Sequence, residues 1–137
     1  MTKSAGKPLF HVQAIDSVET VARMMRDLQT DILPVTRDGC LVGVVTAWDI
    51  VTRMVAAGED TWLARAADYM TREVDVCQAD MNMSDAARLF REKNRRLLPV
   101  VDEDGRLVGV LTPETLERFI PAPPVSTYTK QHHPVAA

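Results

Sequence analysis

The side chains that most often carry catalysis or bind metals are few and widely separated in this sequence. His11 is the only histidine before the C-terminal segment, and Cys40 and Cys77 form no Cys-x-x-Cys pair. His132 and His133 are adjacent, so they would form an incomplete metal shell. Because catalysis requires a nucleophile with its base or a complete set of metal ligands, we expect neither an enzyme nor a metal site.

A threonine and an aspartate three residues apart are the best candidates for binding chemistry. Thr46 ends an apolar run that predicts a strand, and Asp49 lies where a helix is expected to begin. Such a pair is typical of a capping box, in which each side chain accepts a hydrogen bond from the other residue's backbone N–H. The free N–H groups of a helix N-terminus can also bind an anion. The residues alone leave both roles open.

The segment that ends at Thr46 belongs to an internal repeat. Leu33-Pro34-Val35 recurs as Leu98-Pro99-Val100, and residues 38–46 recur as 104–112. The offset is 65 residues from 33 to 98 and 66 residues from 46 to 112, which indicates one inserted residue around Glu103. Each copy predicts a strand, an amphipathic helix, two strands joined by an Asp-Gly turn, and a second helix. The order of elements is β-α-β-β-α.

The first helix of each copy has one apolar face. In the first copy a strand is expected over 10–15, and the helix face consists of Val18, Val21, Ala22, Met25 and Leu28. In the second copy a strand is expected over 74–79, and the helix face consists of Met83, Ala86, Ala87 and Phe90. Asp16 or Ser17 is expected to cap the first helix, and Asn82 the second.

The paired copies resemble the tandem CBS domain, which is named for cystathionine β-synthase and is called a Bateman module in its paired form. The resemblance rests on Leu-Pro-Val, on Asp-Gly-x-Leu-Val-Gly-Val-x-Thr and on Asp68-Tyr69-Met70-Thr71, and it covers about residues 8 to 120. It implies an α/β fold in which two β-α-β-β-α repeats pack about a pseudo-twofold axis and form two clefts.

The expected division of the chain follows the repeat. Residues 8–57 form the first CBS repeat, 58–71 a linker, 72–120 the second repeat and 121–137 a mobile, proline-containing tail. The linker is expected to form an ordered helical turn that packs across the pair through Trp62, Leu63, Ala66 and Ala67.

The resemblance also implies a ligand. CBS clefts commonly bind AMP, ADP, ATP or S-adenosylmethionine, here expected as a regulatory ligand rather than a required cofactor. Asp49 would accept hydrogen bonds from both ribose hydroxyls, with Thr46 near the phosphate. The second copy has Thr112 at the position of Thr46 but Thr115 in place of the aspartate, so the charged contact with the ribose is lost there. Pro113 has no N–H to offer a phosphate.

Further candidate contacts precede or line the Leu-Pro-Val strands. Arg95 and Arg96 stand where basic residues of the family can reach phosphates, although cations that complement a helix C-terminus are the alternative. The first copy has Thr30-Asp31-Ile32 there, and Asp31 would favour a ligand of little negative charge. The adenine slots are expected from Val12, Ala14, Leu33, Pro34 and Val35 in the first copy, and from Cys77, Ala79, Asp80, Pro99 and Val100 in the second.

The remaining aromatic candidate is Trp48, at the start of a helix with an apolar face. We expect Trp48 to pack with Ile50, Val51, Met54 and Val55, although contact with a ligand or a partner helix is the alternative.

The composition is that of a globular protein of 137 residues, with 46% hydrophobic and 26% charged residues. No apolar run approaches the roughly 20 residues that cross a bilayer. The 16 basic and 19 acidic side chains give a net charge of −3, which does not favour nucleic acid or a membrane as a partner. Residues 1–8 contain no apolar signal core, so we expect a cytoplasmic protein with reduced thiols.

Two functions remain open. In the first, an adenosine-containing ligand shifts the relative orientation of the repeats, and an unidentified effector protein or the module's own oligomer responds. The resemblance implies a homodimer of such pairs. The alternative is a dimerisation or scaffolding module whose clefts stay empty, because Thr115 and Asp31 depart from the binding pattern.

Overall fold

The computed structural model describes residues 10–119, and within them it contains two sheets of three strands with the same internal order. The first repeat consists of β1 (Val12–Gln13), α1 (Val18–Leu28), β2 (Ile32–Arg37), β3 (Cys40–Thr46) and α2 (Ala47–Asp49), which continues as the π-helical segment Ile50–Val55. After α3 (Ala66–Tyr69), the second repeat consists of β4 (Cys77–Gln78), α4 (Met83–Lys93), β5 (Leu98–Val101), β6 (Leu107–Leu111) and α5 (Pro113–Phe119). The predicted β-α-β-β-α order is confirmed in both copies.

The first strand of each repeat is shorter than expected. β1 pairs in parallel with β2 over two residues only, and Asp16 then ends it, because its carboxylate accepts a hydrogen bond from the Gln13 N–H at 2.8 Å. The two repeats share the backbone bond of this turn: the Asp16 N–H donates to the Gln13 carbonyl and, after β4, the Met81 N–H donates to the Gln78 carbonyl, each at 3.0 Å. The carboxylate contact is absent from the second repeat, because Met81 stands at the position of Asp16. The strands predicted over 10–15 and 74–79 are therefore each reduced to two residues.

The predicted helix starts are confirmed. Ser17, rather than Asp16, caps α1 by accepting from the Thr20 N–H at 3.2 Å, and Asn82 caps α4 by accepting from the Asp85 N–H at 2.8 Å. The expected apolar faces are buried or, at Leu28 and Met83, half-buried, with one exception: Ala22 is exposed. It lies at the edge of the buried stripe, and Met24 at the opposite edge packs against the core instead.

The Asp-Gly hairpins join β2 to β3 and β5 to β6, as expected. In the first, Asp38 and Gly39 have φ values of 54° and 85°, so both turn residues are left-handed, as a two-residue type I′ turn requires. The second hairpin is one residue longer, and the Asp102 carboxylate accepts from the N–H groups of Asp104 and Arg106 at 2.9 Å each. This extra length is the single insertion that the two offsets indicate.

The two hairpins also join the repeats to each other. The Leu41 N–H donates to the Gly105 carbonyl and the Leu107 N–H donates to the Gly39 carbonyl, each at 3.0 Å. Leu41 and Leu107 are equivalent positions of the two repeats, and so are Gly39 and Gly105. The reciprocal pair of hydrogen bonds therefore lies across the pseudo-twofold axis.

The linker packs onto the first repeat. The Ala66 N–H donates to the Asp16 carbonyl at 2.8 Å and the Ala67 N–H donates to the Ala14 carbonyl at 3.0 Å, which confirms a helical turn there. The expected packing of Trp62 and Leu63 is wrong, because these side chains are 64% and 75% exposed. The backbone hydrogen bonds join α3 to the turn that follows β1, and the alanines Ala64 and Ala66 are buried in this segment instead.

Within residues 10–119, every helix is too short or too polar to cross a membrane. The tail predicted over 121–137, with His132 and His133, lies outside the described residues.

Candidate functional site

A cavity of about 810 Å³ lies between the two repeats. The first repeat contributes Phe10, the end of α1 and residues 30–32, and the second contributes residues 96–97 and 112–114 at the start of α5. Small-molecule sites in proteins commonly have volumes of about 300–1,000 Å³. The cavity therefore has the size of a site for a nucleotide-like ligand, and its walls belong to both repeats.

Equivalent turns bring residues 30–32 and 95–97 to this place. Gln29 caps the C-terminus of α1 with φ 57° and Asn94 caps that of α4 with φ 53°, so each helix is followed by the same left-handed reversal. In the first repeat the Thr30 hydroxyl donates to the Ile32 carbonyl at 3.0 Å, which holds the short loop around Asp31. The chain then enters β2, and in the second repeat it enters β5.

Asp31 and Arg96 lie 65 residues apart, at the same position of the two repeats, and they form an ion pair with each other. Nη1 of Arg96 lies 2.6 Å from Oδ2 of Asp31, and both residues line the cavity. Their side chains are 68% and 48% exposed, so the pair contributes at most about 1 kcal/mol to stability. Arg95 points elsewhere, since its guanidinium lies 3.1 Å from the Asp75 carboxylate.

The start of α5 forms one wall of the cavity and has a capping arrangement without a carboxylate. The Thr112 N–H donates to the Thr115 hydroxyl at 2.7 Å, and the Thr115 N–H donates to the Thr112 hydroxyl at 3.3 Å. Thr112, Pro113 and Glu114 line the cavity. Thr115 thus makes the capping hydrogen bonds that an aspartate would make at this position of the motif. Glu114, one residue earlier, has an exposed carboxylate.

The equivalent motif of the first repeat forms the capping box considered as one of its two roles. The Asp49 N–H donates to the Thr46 hydroxyl at 3.0 Å, and the Thr46 N–H donates to Oδ2 of Asp49 at 3.3 Å. Oδ1 of Asp49 lies 3.7 Å from Arg53. Thr46 and Asp49 do not line the cavity of about 810 Å³, which reaches the second copy of the motif instead.

A backbone difference between the two motifs accompanies this asymmetry. The Ala47 N–H donates to the Asp31 carbonyl at 2.9 Å, which ties the start of α2 to the start of β2. The equivalent residue of the second repeat is Pro113, which has no N–H to donate to Arg96. The cavity extends to the start of α5, where this backbone hydrogen bond cannot form.

The residues expected to form adenine slots are mostly buried. Core packing covers Val12, Ala14, Leu33, Pro34 and Val35 in the first repeat, and Cys77 and Pro99 in the second. Val100 is half-buried, whereas Ala79 and Asp80 are exposed and line a smaller cavity of about 320 Å³ together with Gln78, Asp102 and Glu103. Burial raises the pKa of the Cys77 thiol, which makes it a packing residue rather than a nucleophile.

Trp48 does not pack as expected. Its side chain is 74% exposed, and Val51 and Val55 on the same helix are 55% and 56% exposed. Ile50 and Met54 alone of this set are buried. The second helix of the first repeat therefore presents an apolar outer face, made of Trp48, Val51 and Val55.

Sequence reasoning named two residues of the cavity, Arg96 and Thr112, among the binding candidates. It also noted Asp31, as a charge that opposes phosphate, but it did not place Phe10 or Leu97 in the site. The signal was present in the repeat offset, because equivalent loops of two repeats related by a pseudo-twofold axis approach each other near that axis. The distance between these two loops depends on how the repeats dock.

Comparison with known proteins agrees with this architecture. The CBS domain family matches residues 1–56 and 66–122, so the chain belongs to the CBS domain family. Its two repeats form a CBS pair, which is a regulatory module.

Three related proteins illustrate the range of the family. Homoserine O-acetyltransferase of Methanococcoides burtonii is 36% identical over 105 residues, which are 76% of this chain but 20% of that protein, so the chain spans about a fifth of this relative's length. A solved structure of hypoxic response protein I with two coordinated zinc ions has 28% identity and a TM-score of 0.69, and it covers 81% of this chain and 90% of that chain. Within residues 10–119 here, no group of three or more His, Cys, Asp or Glu residues could hold a metal ion.

The third is CBSX2 of Arabidopsis thaliana, solved in complex with AMP. It has 33% identity and a TM-score of 0.66, and the match covers 79% of this chain and 84% of that chain. This relative binds an adenine nucleotide.

Proposed function

We propose that this CBS pair is a sensor that binds an adenosine-containing ligand in the cavity between its repeats and signals binding to an effector protein. The observation that carries the proposal is the cavity itself, because its walls come from both repeats. A ligand held there contacts both halves and favours the arrangement that it fits best. The AMP complex of CBSX2, at 33% identity, supports adenosine as the ligand class.

The lining suits such a ligand chemically. Phe10, Ile32 and Leu97 offer apolar surface to a base, and Arg96 offers a guanidinium that matches a phosphate. Asp49 is proposed as the ribose acceptor of the pseudo-equivalent cleft, where its carboxylate is 15% exposed and its Oδ1 contacts Arg53 at 3.7 Å. Ribose hydroxyls there would replace a long, partly exposed ion pair.

The experiment that tests the proposal is thermal unfolding of the purified chain with AMP, ADP, ATP, adenosine or S-adenosylmethionine, with GTP as the control nucleotide. A ligand that binds only the folded state stabilises it by about 2.7 kcal/mol at a hundredfold excess over its Kd, so a selective rise in Tm is expected. An unchanged Tm with all five adenosine compounds at millimolar concentration contradicts the proposal.

A pair of matched variants places the ligand in this cavity. Arg26 lines the cavity on α1, whereas Arg23 is an exposed arginine of the same helix that does not line it. Arg26→Trp narrows the cavity and is expected to weaken binding, and Arg23→Trp is expected to leave the Kd unchanged. Equal effects of the two substitutions would place the ligand elsewhere.

We further propose that two copies of the chain associate through the apolar face of Trp48, Val51 and Val55. The positions equivalent to Trp48 and Val51 in the second repeat are Glu114 and Glu117, so the sequence keeps this face apolar in the first repeat alone. A face of this kind can meet its own copy across a twofold axis, which buries both tryptophans. This surface also supports the scaffolding function, because dimerisation does not require an occupied cleft.

The proposed cellular location is the cytoplasm. Among residues 10–119, Cys40 and Cys77 are both free thiols, which fits a reducing compartment.

A further inference from the structure

We infer that the Asp31–Arg96 ion pair is a latch between the repeats that a ligand phosphate opens by taking Arg96 from Asp31. The inference rests on the proposed function, since it assumes that adenosine-containing ligands enter this cavity. It identifies Asp31 as the residue that sets the charge preference of the site. It also identifies the Asp31–Arg96 ion pair as the contact through which a bound ligand changes the arrangement of the two repeats.

The cations that line the cavity are already paired. Two arginines line the cavity, and both are paired with carboxylates: Arg26 with Asp27 at 2.9 Å and Arg96 with Asp31 at 2.6 Å. The other acidic residue of the lining is Glu114, so the lining charges of Arg26, Arg96, Asp31 and Glu114 cancel. An incoming phosphate therefore finds no excess positive charge and must compete with a carboxylate for a guanidinium.

The two arginines differ in what the loss of their ion pair does to the repeats. The Arg26 pair joins neighbouring residues of α1, Arg26 and Asp27. If a phosphate replaced Asp27 as the partner of Arg26, no contact between the two repeats would be lost. The Arg96 pair joins residues 65 positions apart, one from each repeat. Loss of this pair removes a contact between the repeats, so the Arg96 exchange couples ligand charge to their arrangement.

The displacement of Asp31 from Arg96 requires little free energy. Both side chains of the latch are largely in solvent, and an exposed pair is worth at most about 1 kcal/mol, so a phosphate can displace Asp31 at modest cost. A guanidinium makes charge-assisted hydrogen bonds to a phosphate as it does to a carboxylate, and the second negative charge of a dianionic phosphate adds to the attraction. After the exchange, the negative charge of Asp31 stays near the phosphate and opposes it. Asp31 thus weakens binding of phosphate-bearing ligands and leaves uncharged adenosine unaffected.

The test is isothermal titration calorimetry of AMP and adenosine with the full chain and with Asp31→Asn. Asp31→Asn removes the competing charge, so the affinity for AMP is expected to rise about three- to tenfold while that for adenosine stays constant. The rise should shrink as NaCl is increased from about 50 to 500 mM, because the charges are exposed. Arg96→Gln is expected to lower the affinity for AMP. Because Asp31 then no longer competes for the guanidinium, the effect of Asp31→Asn should be smaller in the double variant and limited to the loss of charge repulsion.

The matched control is Asp75→Asn. Asp75 pairs with Arg95 at 3.1 Å, and its substitution frees an adjacent arginine that does not line the cavity. It is expected to leave the ratio of AMP to adenosine affinities unchanged. If AMP and adenosine bind but Asp31→Asn and Asp75→Asn give the same ratio, the latch is wrong and the proposed function stands. If neither compound binds to any variant, the latch fails, and the proposed function fails with it when ADP, ATP and S-adenosylmethionine also leave the Tm unchanged.

Discussion

Gly43 of β3 packs directly against the backbone of Thr71: a Cβ at Gly43 would lie 2.6 Å from the Thr71 carbonyl oxygen and 2.9 Å from the Met70 sulfur. The N–H groups of Val44 and Thr71 donate to each other's carbonyls at 3.0 and 2.7 Å, so this approach joins the linker to the first sheet. The equivalent glycine of the second repeat, Gly109, has nothing within 4 Å of such a Cβ. The two glycines are identical in sequence context and opposite in their steric surroundings.

Gly43→Ala is therefore expected to destabilise the chain by about 1–3 kcal/mol, because backbone on both sides must move to admit the methyl group. Gly109→Ala should be neutral or stabilise by up to about 1 kcal/mol, since it restricts the unfolded chain without a clash. Urea unfolding followed by circular dichroism measures both. Equal destabilisation by the two substitutions would show that β3 and the linker are not in contact.

Asp49→Ala is expected to have two separable effects. Loss of the capping box should lower stability by about 1 kcal/mol, and loss of the carboxylate should weaken an adenosine ligand of the pseudo-equivalent cleft by about 1.5–3 kcal/mol. The control is Ser17→Ala, which removes the N-cap of α1 at a similar cost in stability without touching the motif. Titration curves of Asp49→Ala that match those of Ser17→Ala would exclude Asp49 from ribose binding.

The two thiols should differ in reactivity. Cys77 is 3% exposed and its pKa is raised by burial, whereas Cys40 is half-buried. With Ellman's reagent near pH 8, Cys40 should react first and Cys77 only as the chain opens. Single Cys→Ser variants show which thiol gives the fast phase of the reaction and which gives the slow phase. A fast reaction of Cys77 in the folded chain would contradict its burial.

The raised pKa of Cys77 also predicts a pH dependence with a definite sign. The folded thiol keeps its proton to higher pH than the unfolded thiol, so its contribution to stability is full below the ordinary thiol pKa and falls as pH rises toward the folded value. The free energy of unfolding should therefore decrease less between about pH 8 and 10 in Cys77→Ala than in the parent chain. An identical decrease in both would show that Cys77 does not contribute.

The dimer proposal is tested by Trp48→Glu, which places a charge on the apolar face of α2. Sedimentation velocity is expected to show a dimer for the parent chain and a monomer for the variant. Ile15→Glu is the matched control, because Ile15 is 70% exposed and lies outside that face. A monomeric parent chain at about 100 µM contradicts the dimer, and a dimeric Trp48→Glu variant contradicts this surface.

Sequence alone determined the features that depend on neighbouring residues. The repeat offset predicted two equivalent units, and the apolar periodicity predicted α1 and α4. Asn82 predicted the start of α4, whereas the start of α1 was left open between Asp16 and Ser17 and the structure selects Ser17. The Asp-Gly pairs predicted both hairpins because a left-handed residue is a local requirement. The capping box at Thr46 and Asp49 was equally readable, since its hydrogen bonds span three residues.

Tertiary structure decided what depends on how the repeats dock. It pairs Asp31 with Arg96, places the cavity at the second copy of the threonine motif rather than at Asp49, and leaves Trp48 in solvent. None of these follows from spacing along one strand or helix, because each depends on which distant parts of the chain come together, or fail to come together, when the repeats dock. The repeats are similar in sequence, so the functional asymmetry arises where equivalent positions with different side chains meet across the pseudo-twofold axis.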